Sequence, residues 1–591
     1  MYFFIAVVAI VFGTFLIQLI NLQVVQSEEY FIKSKINMEN NIPIPASRGE
    51  IYDRNFSPVE ENVVIASNRP SFNVTTIPAY FEEKGKLEDT IRNLSKLLEF
   101  DFTSVMEDID ASNPWDRYII KEDVKFDKIV KIASYSNLFP NIDWEDAPVR
   151  VYKHDNMLAH SVGYIGSITR DEYKNLKNAG YKYYQKIGKA GIEKEYDMLL
   201  RGVDGYVRRI VDVKNRMEGE EIGKHPISGN NLVLTIDYEV QKTAFEAMQG
   251  KKGSVIVMKP ATGEVLCLLS KPDFDPNQII SKNNTKVLEE LYKDKDKPFL
   301  NRSIQSRYPP ASTFKLVTTI SALEEEKWKP KWTLHCPGKY TLQGYVDRDF
   351  YCYRVHGTVD LYHAIGKSCS VYFYQLGYKI GPSIIMKYAN YFGLNDKTGI
   401  DIPGEIDGFI PSKKWKLKTF GQPWFDGDTL NMSIGQGFLA VTNIGMANFV
   451  SAIVNEGVMY KPHLVREVRS NNNQSVISTH TPEKLKEIPL SNTTLDTVKT
   501  GMRLAVKEGT VARLGYIKVP ICGKTGTAQT RSRRKEDETQ HAWYVGFAPY
   551  DGKAEDSVVV TVMVEYGIAG AVSAVPVAEA IFNKLYRLGY F

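Results

Sequence analysis

The sequence predicts an α+β protein in which a central antiparallel sheet is covered by helices, preceded by a segment of turns and short strands and by one N-terminal membrane-spanning helix. Three observations carry this. Gly253–Met258 and Glu264–Leu269 are apolar runs on either side of the turn Lys259-Pro260-Ala261-Thr262-Gly263, which reads as a hairpin. Ser557–Glu565 is a long β-branched run, followed by a helix from about Pro576. Met1–Ser27 has no charged side chain, and Tyr2–Leu22 is long and apolar enough to cross a bilayer as a helix.

The elements divide the chain into an anchor over residues 1–25, a pedestal over 26–227 and a chemical domain over 228–591. A cleaved signal peptide fits the N-terminus less well than an anchor: the apolar run exceeds an ordinary h-region, and Gln23-Val24-Val25-Gln26-Ser27 has no small-residue cleavage site. No Lys or Arg precedes the helix, so its flanks do not set its orientation. The pedestal opens polar and Asn-rich, and Ile44–Asn55 has the small and polar residues of turns between short strands. The turn Ile227-Ser228-Gly229-Asn230 precedes the strand Leu232–Ile236, and Asp237–Gln249 reads as a helix. With 74 basic against 70 acidic side chains, the net charge of +4 requires no nucleic-acid partner, and no basic patch is interleaved with aromatics.

Chemistry concentrates at Tyr308-Pro309-Pro310-Ala311-Ser312-Thr313-Phe314-Lys315. The prolines suit the approach to a helix, and Phe314–Leu323 reads as a buried one, with Ser312 expected in its first turn. Residues three apart share a helix face, so Lys315 can serve Ser312, and the N–H groups of the helix start point at the same place. A second Ser-x-x-Lys, Ser532–Lys535, lies in the charged run Arg531–Glu538 and reads as solvated surface. Context separates the two. Ser368-Cys369-Ser370 and Lys524-Thr525-Gly526-Thr527 follow Ser312 in the order S-x-x-K, S-x-(N/D), K-T-G, and this series resembles the penicillin-recognising serine acyltransferases.

The resemblance extends through Gly427-Asp428-Thr429 and Ile434-Gly435-Gln436-Gly437. It also covers Ile44–Asn55, Ala159–Gly166 and Gly188–Tyr196, which implies a mostly β, elongated pedestal domain. His541–Pro549 is similar to the class B, elongation-type members known as penicillin-binding protein 2, which implies a monofunctional transpeptidase. His160 is read as a structural histidine rather than a catalytic one.

The resemblance implies that Ser312 attacks the carbonyl between the terminal D-alanines of a peptidoglycan stem peptide. The N–H groups of Ser312 and Thr527 would hold the oxyanion, and Ser368 would relay a proton between Lys315 and the departing amine. Lys524, Thr525, Gly526 and Thr527 would form the substrate strand, with Ser370 on the other side. An ordinary lysine is neutral only about 0.04% of the time at pH 7, so Lys315 must be shifted down by burial and by Lys524 nearby. Implied partners are stem peptides ending in D-Ala-D-Ala, β-lactams, a membrane glycan polymerase and other elongation-complex proteins. The implied place is the plasma membrane, single-pass, with the chemical domain extracytoplasmic. The same motifs serve β-lactamases, D,D-carboxypeptidases and non-catalytic β-lactam sensors or scaffolds.

Two departures matter. Ser370 stands where the family pattern has Asn or Asp, and its hydroxyl cannot bridge as an amide does. Cys336, Cys352, His356 and Cys369, spaced C-x15-C-x3-H-x12-C, have the three thiols and imidazole of a closed structural zinc site. One disulfide with a cysteine left over, or free buried thiols, would also fit that spacing. Some elongation-type members carry such a zinc, and no organic cofactor is implied. Cys267 and Cys522 lie in apolar strand contexts and are assigned to the core.

Overall fold

The computed structural model describes residues 1–591 except 27–38, 61, 113, 116, 155, 184, 212–216, 282–284, 344–346 and 530–539. The second Ser-x-x-Lys, Ser532–Lys535, lies outside the described residues. The chain forms two compact units interleaved in sequence: residues 1–49, 67–151 and 201–230 form one, and 50–66, 152–200 and 231–591 form the other.

In the first unit, helix Tyr2–Ile20 continues into a wider turn at Asn21–Val25. It is long and apolar enough to span a bilayer. A three-stranded antiparallel sheet joins Glu39–Ile44, Gly205–Val211 and Met217–Lys224. A second joins Phe72–Thr76, Tyr118–Val124 and Ile142–Asp146. Helices Lys84–Leu98, Phe102–Ala111 and Phe126–Ser134 pack on that sheet through Val74, Ile91, Leu94, Ile129 and Ile132. The pedestal is therefore mixed α/β, where the resemblance implied mostly β. Leu87, Ile91, Leu94 and Leu98 recur at helical spacing and bury one face.

In the second unit we label helices α1 Tyr238–Ala247, α2 Lys315–Glu324, α3 Ser370–Ile380, α4 Lys413–Phe420, α5 Asn443–Val454 and α6 Val575–Arg587. The strands are β1 Lys252–Met258, β2 Val265–Lys271, β3 Cys522–Gln529, β4 Gln540–Ala548 and β5 Val558–Glu565. They form one antiparallel sheet in the order β2-β1-β5-β4-β3, so β3 is an edge. One row of paired residues runs Leu268, Ile256, Thr561, Val545, Lys524. Both faces are covered, which is why the strands are apolar throughout rather than alternating. Trp543, Val545 and Phe547 enter a core with Val317, Ile320, Phe373 and Phe449, whereas Tyr544, Val560 and Val562 enter another with Ala244, Ile581 and Phe582. Cys267 and Cys522 are fully buried, as their strand contexts indicated.

Asp237 caps α1 by accepting from the N–H groups of Glu239 and Val240, which fixes the start of the helix expected from that residue. His160 is buried with its ring edge-on to Phe274, and burial holds its pKa down to about 4. That is a neutral packing residue.

Candidate active site

The site is assembled where α2, α3 and β3 meet. Pro309 and Pro310 lead into a tight 3-10 turn over Ala311–Phe314, and α2 begins at Lys315. Ser312 thus sits in the turn before the helix rather than in its first α-helical turn. Ala311 adopts a left-handed φ of 50°, a conformation that costs a non-glycine residue energy and persists only under external hold. Three contacts supply the hold. Ala311 N donates to Gly435 O at 2.9 Å, Trp543 Nε1 donates to Pro309 O at 3.0 Å, and Thr313 Oγ1 donates to Pro310 O at 2.6 Å. Ser312 is half-buried between the fully buried Ala311 and Thr313.

Lys315 is 0% exposed. Its Nζ donates to Ser368 O at 2.9 Å, Ser370 Oγ at 3.1 Å and Ser368 Oγ at 3.4 Å. Lys524, also 0% exposed, reaches the same hydroxyl from β3 at 2.7 Å and donates to Thr525 O at 3.1 Å. Ser368 is itself left-handed, with φ 54°. Two ammonium groups converging on one buried hydroxyl repel each other and lack water, so at least one is held neutral. Burial lowers the pKa of Lys315 to about 8, against the opposing pull of Cys352, Cys369 and Cys336. Burial, and then the Lys315 charge, push Lys524 well below its ordinary value. The repulsion between the two amines is mutual, with burial as the main cause at both.

Edge strand β3 passes beside the serine turn. A side chain at Gly526 would stand 3.0 Å from Pro310 O and 3.3 Å from Ala311 Cβ, so a bare backbone gives this approach its room. The Thr525 hydroxyl donates to Thr510 Oγ1 at 2.8 Å. Thr527 Oγ1 accepts from Gly570 N, and its carbonyl accepts from Gln436 Nε2, each at 3.3 Å. Gly435 is likewise spatially required: its φ is 73°, and a Cβ there would meet Ala311 O at 2.1 Å.

The four proposed metal ligands converge, with ligand atoms of Cys336, Cys352, His356 and Cys369 all within 4.8 Å of one another. His356 Nδ1 lies 3.4 Å from Cys352 Sγ and 3.6 Å from Cys336 Sγ. A tetrahedral zinc with ordinary Zn–S and Zn–N bonds separates such atoms by about 3.6 Å, so the donor set fits that ion in chemistry and spacing. The Cys369 thiol and the Ser370 and Val371 N–H groups favour the Cys352 thiolate, lowering its pKa to about 4 and raising that of Cys369. Cys369 also occupies the N-cap of α3, between the two serines that Lys315 contacts.

Of the residues named from sequence, Lys315, Ser368, Ser370 and Lys524 are joined directly by hydrogen bonds. Ser312 and Gly526 adjoin them through the turn and β3. Gln436, Trp543 and Thr510 were not assigned site roles from sequence. Gln436 and Trp543 lie in stretches whose resemblance was noted, whereas Thr510 follows α-helical residues ending at Glu508 and carries no local signal.

Comparison with known proteins matches residues 253–587 to the penicillin binding protein transpeptidase domain and residues 43–234 to the penicillin-binding protein dimerisation domain. The chain belongs to the penicillin-binding protein transpeptidase family. The peptidoglycan D,D-transpeptidase MrdA of Acinetobacter baumannii is 31% identical over 95% of this chain and 84% of that protein. The penicillin-binding protein PBP2 of Helicobacter pylori, solved in complex with MreC, superposes with a TM-score of 0.79 at 28% identity, covering 94% of this chain and 100% of that one. A chain from a peptidoglycan synthase complex, solved for its coordination of polymerization and crosslinking, gives 0.74 at 27% identity over 99% and 98%. The fold class and family indicated by the motif series are those found.

Proposed function

We propose that this member of the family is a membrane-anchored peptidoglycan D,D-transpeptidase, a serine acyltransferase that β-lactams arrest as an acyl-enzyme. The observation that carries the reading is the Ser368 hydroxyl shared by Lys315 and Lys524 at 3.4 and 2.7 Å. It is a proton path between two buried amines. With a pKa of about 8, Lys315 is neutral in about a tenth of molecules at pH 7, which suits a general base.

Ser312 Oγ attacks the penultimate D-alanine carbonyl carbon as its proton passes to Lys315 Nζ. The N–H groups of Ser312 and Thr527 receive the oxyanion, each donor contributing roughly 3 to 4 kcal/mol. Collapse breaks the C–N bond, and the proton reaches the departing D-alanine amine through Ser368. An amine of a neighbouring stem peptide then attacks the acyl carbon, loses its proton by the same path and releases Ser312. Lys524, Thr525 and Thr527 bind the terminal carboxylate, Gly526 leaves room for it, and Ser370 contacts the peptide.

Cys336, Cys352, His356 and Cys369 would hold zinc, whose part is to fix the Ser368–Ser370 loop. Residues 1–25 would anchor the chain in the plasma membrane with the catalytic domain outside. Partners would be a membrane glycan polymerase and elongation-complex proteins, a reading supported by the MreC and synthase-complex relatives.

Intact-mass measurement after penicillin treatment tests the chemistry. A stable adduct of one drug mass, absent from Ser312→Ala, is expected. An adduct lost within minutes would make the protein a hydrolase, and no adduct would overturn an acyl-enzyme. Elemental analysis tests the metal: one zinc per chain is expected, and zinc-free protein of undiminished stability would refute it.

A further inference from the structure

The segment Gly435–Phe438 starts at the serine turn, where Gly435 accepts from Ala311 N at 2.9 Å. It passes β3, where Gln436 donates to Thr527 O at 3.3 Å, and ends in a cluster of aromatic rings. Phe438 lies 5.2 Å from both Trp415 and Phe420 of α4, and Trp415 lies 4.8 Å from Phe409, between ring centres. Phe420 of this cluster keeps 50% exposure, and its neighbours in sequence Leu417 and Phe425 keep 56% and 51%. Large apolar groups left together in water, rather than singly, mark a contact surface.

Charge narrows the occupant. Residues 413–428 contain four lysines and two aspartates. Lys416 is turned inward, paired with Asp428 and 4.3 Å from the centre of the Phe425 ring. Lys413, Lys414 and Lys418 are exposed, and no carboxylate among the described residues pairs with them. The surface therefore offers aromatic faces beside free ammonium groups, continuous with the segment that touches Ser312's turn.

We propose that this face is a subsite for the peptidoglycan strand beyond the reacting peptide. Exposed Phe420 and Phe425 stack on the apolar faces of N-acetylated sugars, and Lys413, Lys414 and Lys418 meet carboxylates of the stem peptides. A strand is favoured over a lipid surface because Trp415 turns inward onto Phe409 and Phe438, and Phe438 lies two residues from the Gln436 contact with β3. None of these side chains is among the residues assigned to the reaction, so β-lactam acylation is expected not to depend on them. The inference rests on the transpeptidase reading.

The test uses full-length protein with Lys413→Ser/Lys414→Ser/Lys418→Ser and with Phe420→Ser/Phe425→Ser. Both variants should be acylated by penicillin as the parent is, which reports an intact fold. Both should bind purified sacculi about tenfold more weakly, and the lysine variant should also lose most of the salt sensitivity of binding. Sacculi should protect Lys413–Lys418 from trypsin in protein reconstituted in phosphatidylcholine vesicles. Unchanged sacculus binding by both variants overturns the proposal. Protection that appears only with phosphatidylglycerol vesicles makes the face a membrane contact and also overturns it. Failure of the parent to be acylated would instead refute the transpeptidase reading, a result the binding measurement does not share.

Discussion

Lys416 and Lys315 are both buried lysines of the second unit, and their surroundings differ in one respect. Lys416, 3% exposed, has the Asp428 carboxylate and the Phe425 ring. Lys315 and Lys524, both 0% exposed, have hydroxyl and carbonyl oxygens, and no carboxylate among the described residues pairs with either. Burial beside a counter-ion makes a strut that ties α4 to the short helix Asp426–Ser433. Burial among neutral acceptors makes an amine that gives up its proton cheaply.

The contrast breaks most directly by substitution. Lys315→Met should slow penicillin acylation by about 10² to 10⁴ while leaving thermal stability unchanged or higher, since it removes an uncompensated buried amine. Lys416→Met should do the reverse, acylating within a few-fold of the parent but losing about 2 to 3 kcal/mol in urea unfolding, because Asp428 is stranded. If both variants lose acylation alike, the distinction between strut and base is wrong. Chelation acts one step further out: removing the zinc proposed at Cys336, Cys352, His356 and Cys369 should slow acylation by about 10- to 100-fold and lower the melting temperature, by loosening the loop of Ser368 and Ser370. Stopped-flow acylation of chelator-treated protein, before and after zinc is returned, measures this.

Smaller effects sharpen the picture. In the proposed mechanism the reactive form of Lys315 is the neutral amine, so the acylation rate should climb with pH through its pKa of about 8. The gain from pH 7 to 8 should be about fivefold, and a flat profile over that range would remove Lys315 from the role of base. Ser370→Asn should change acylation by about two- to fivefold, the scale of one net hydrogen bond, because an amide oxygen can still accept from Lys315. A loss far beyond that would show that the hydroxyl itself is required.

Much of this was legible because the chemistry is written in short local motifs. Ser312 and Lys315 are three apart, Lys524 to Thr527 are contiguous, and the hairpin around Pro260 and the strand before α6 announce themselves by pattern. The four metal-ligand candidates could be chosen by residue type, although only the fold brings their ligand atoms within 4.8 Å. What escaped reading depends on contacts distant in sequence. Ser368 and Ser370, 53 and 55 residues from Lys315, were reached only through the resemblance and not through local pattern, and Thr510, which meets Thr525 across the end of a helix, was not reached at all. The left-handed backbone of Ala311 and Ser368 could not be foreseen, because alanine and serine rarely adopt it unless neighbours impose it. The pedestal helix Lys84–Leu98 is a different case, since its apolar residues recur at helical spacing and the mostly β expectation took no account of them.

Gly526 constrains how such a protein can evolve under antibiotic pressure. A methyl group there would press on Pro310 O at 3.0 Å, Trp543 Cβ at 3.2 Å and Ala311 Cβ at 3.3 Å, all parts of the wall that supports Ser312. Excluding a drug by crowding this strand would also press on the turn that holds Ser312, the proposed nucleophile, so resistance by that route would carry its own loss of fitness. Inhibitors that lean on the bare backbone of residue 526 would press where the lineage has least freedom to change.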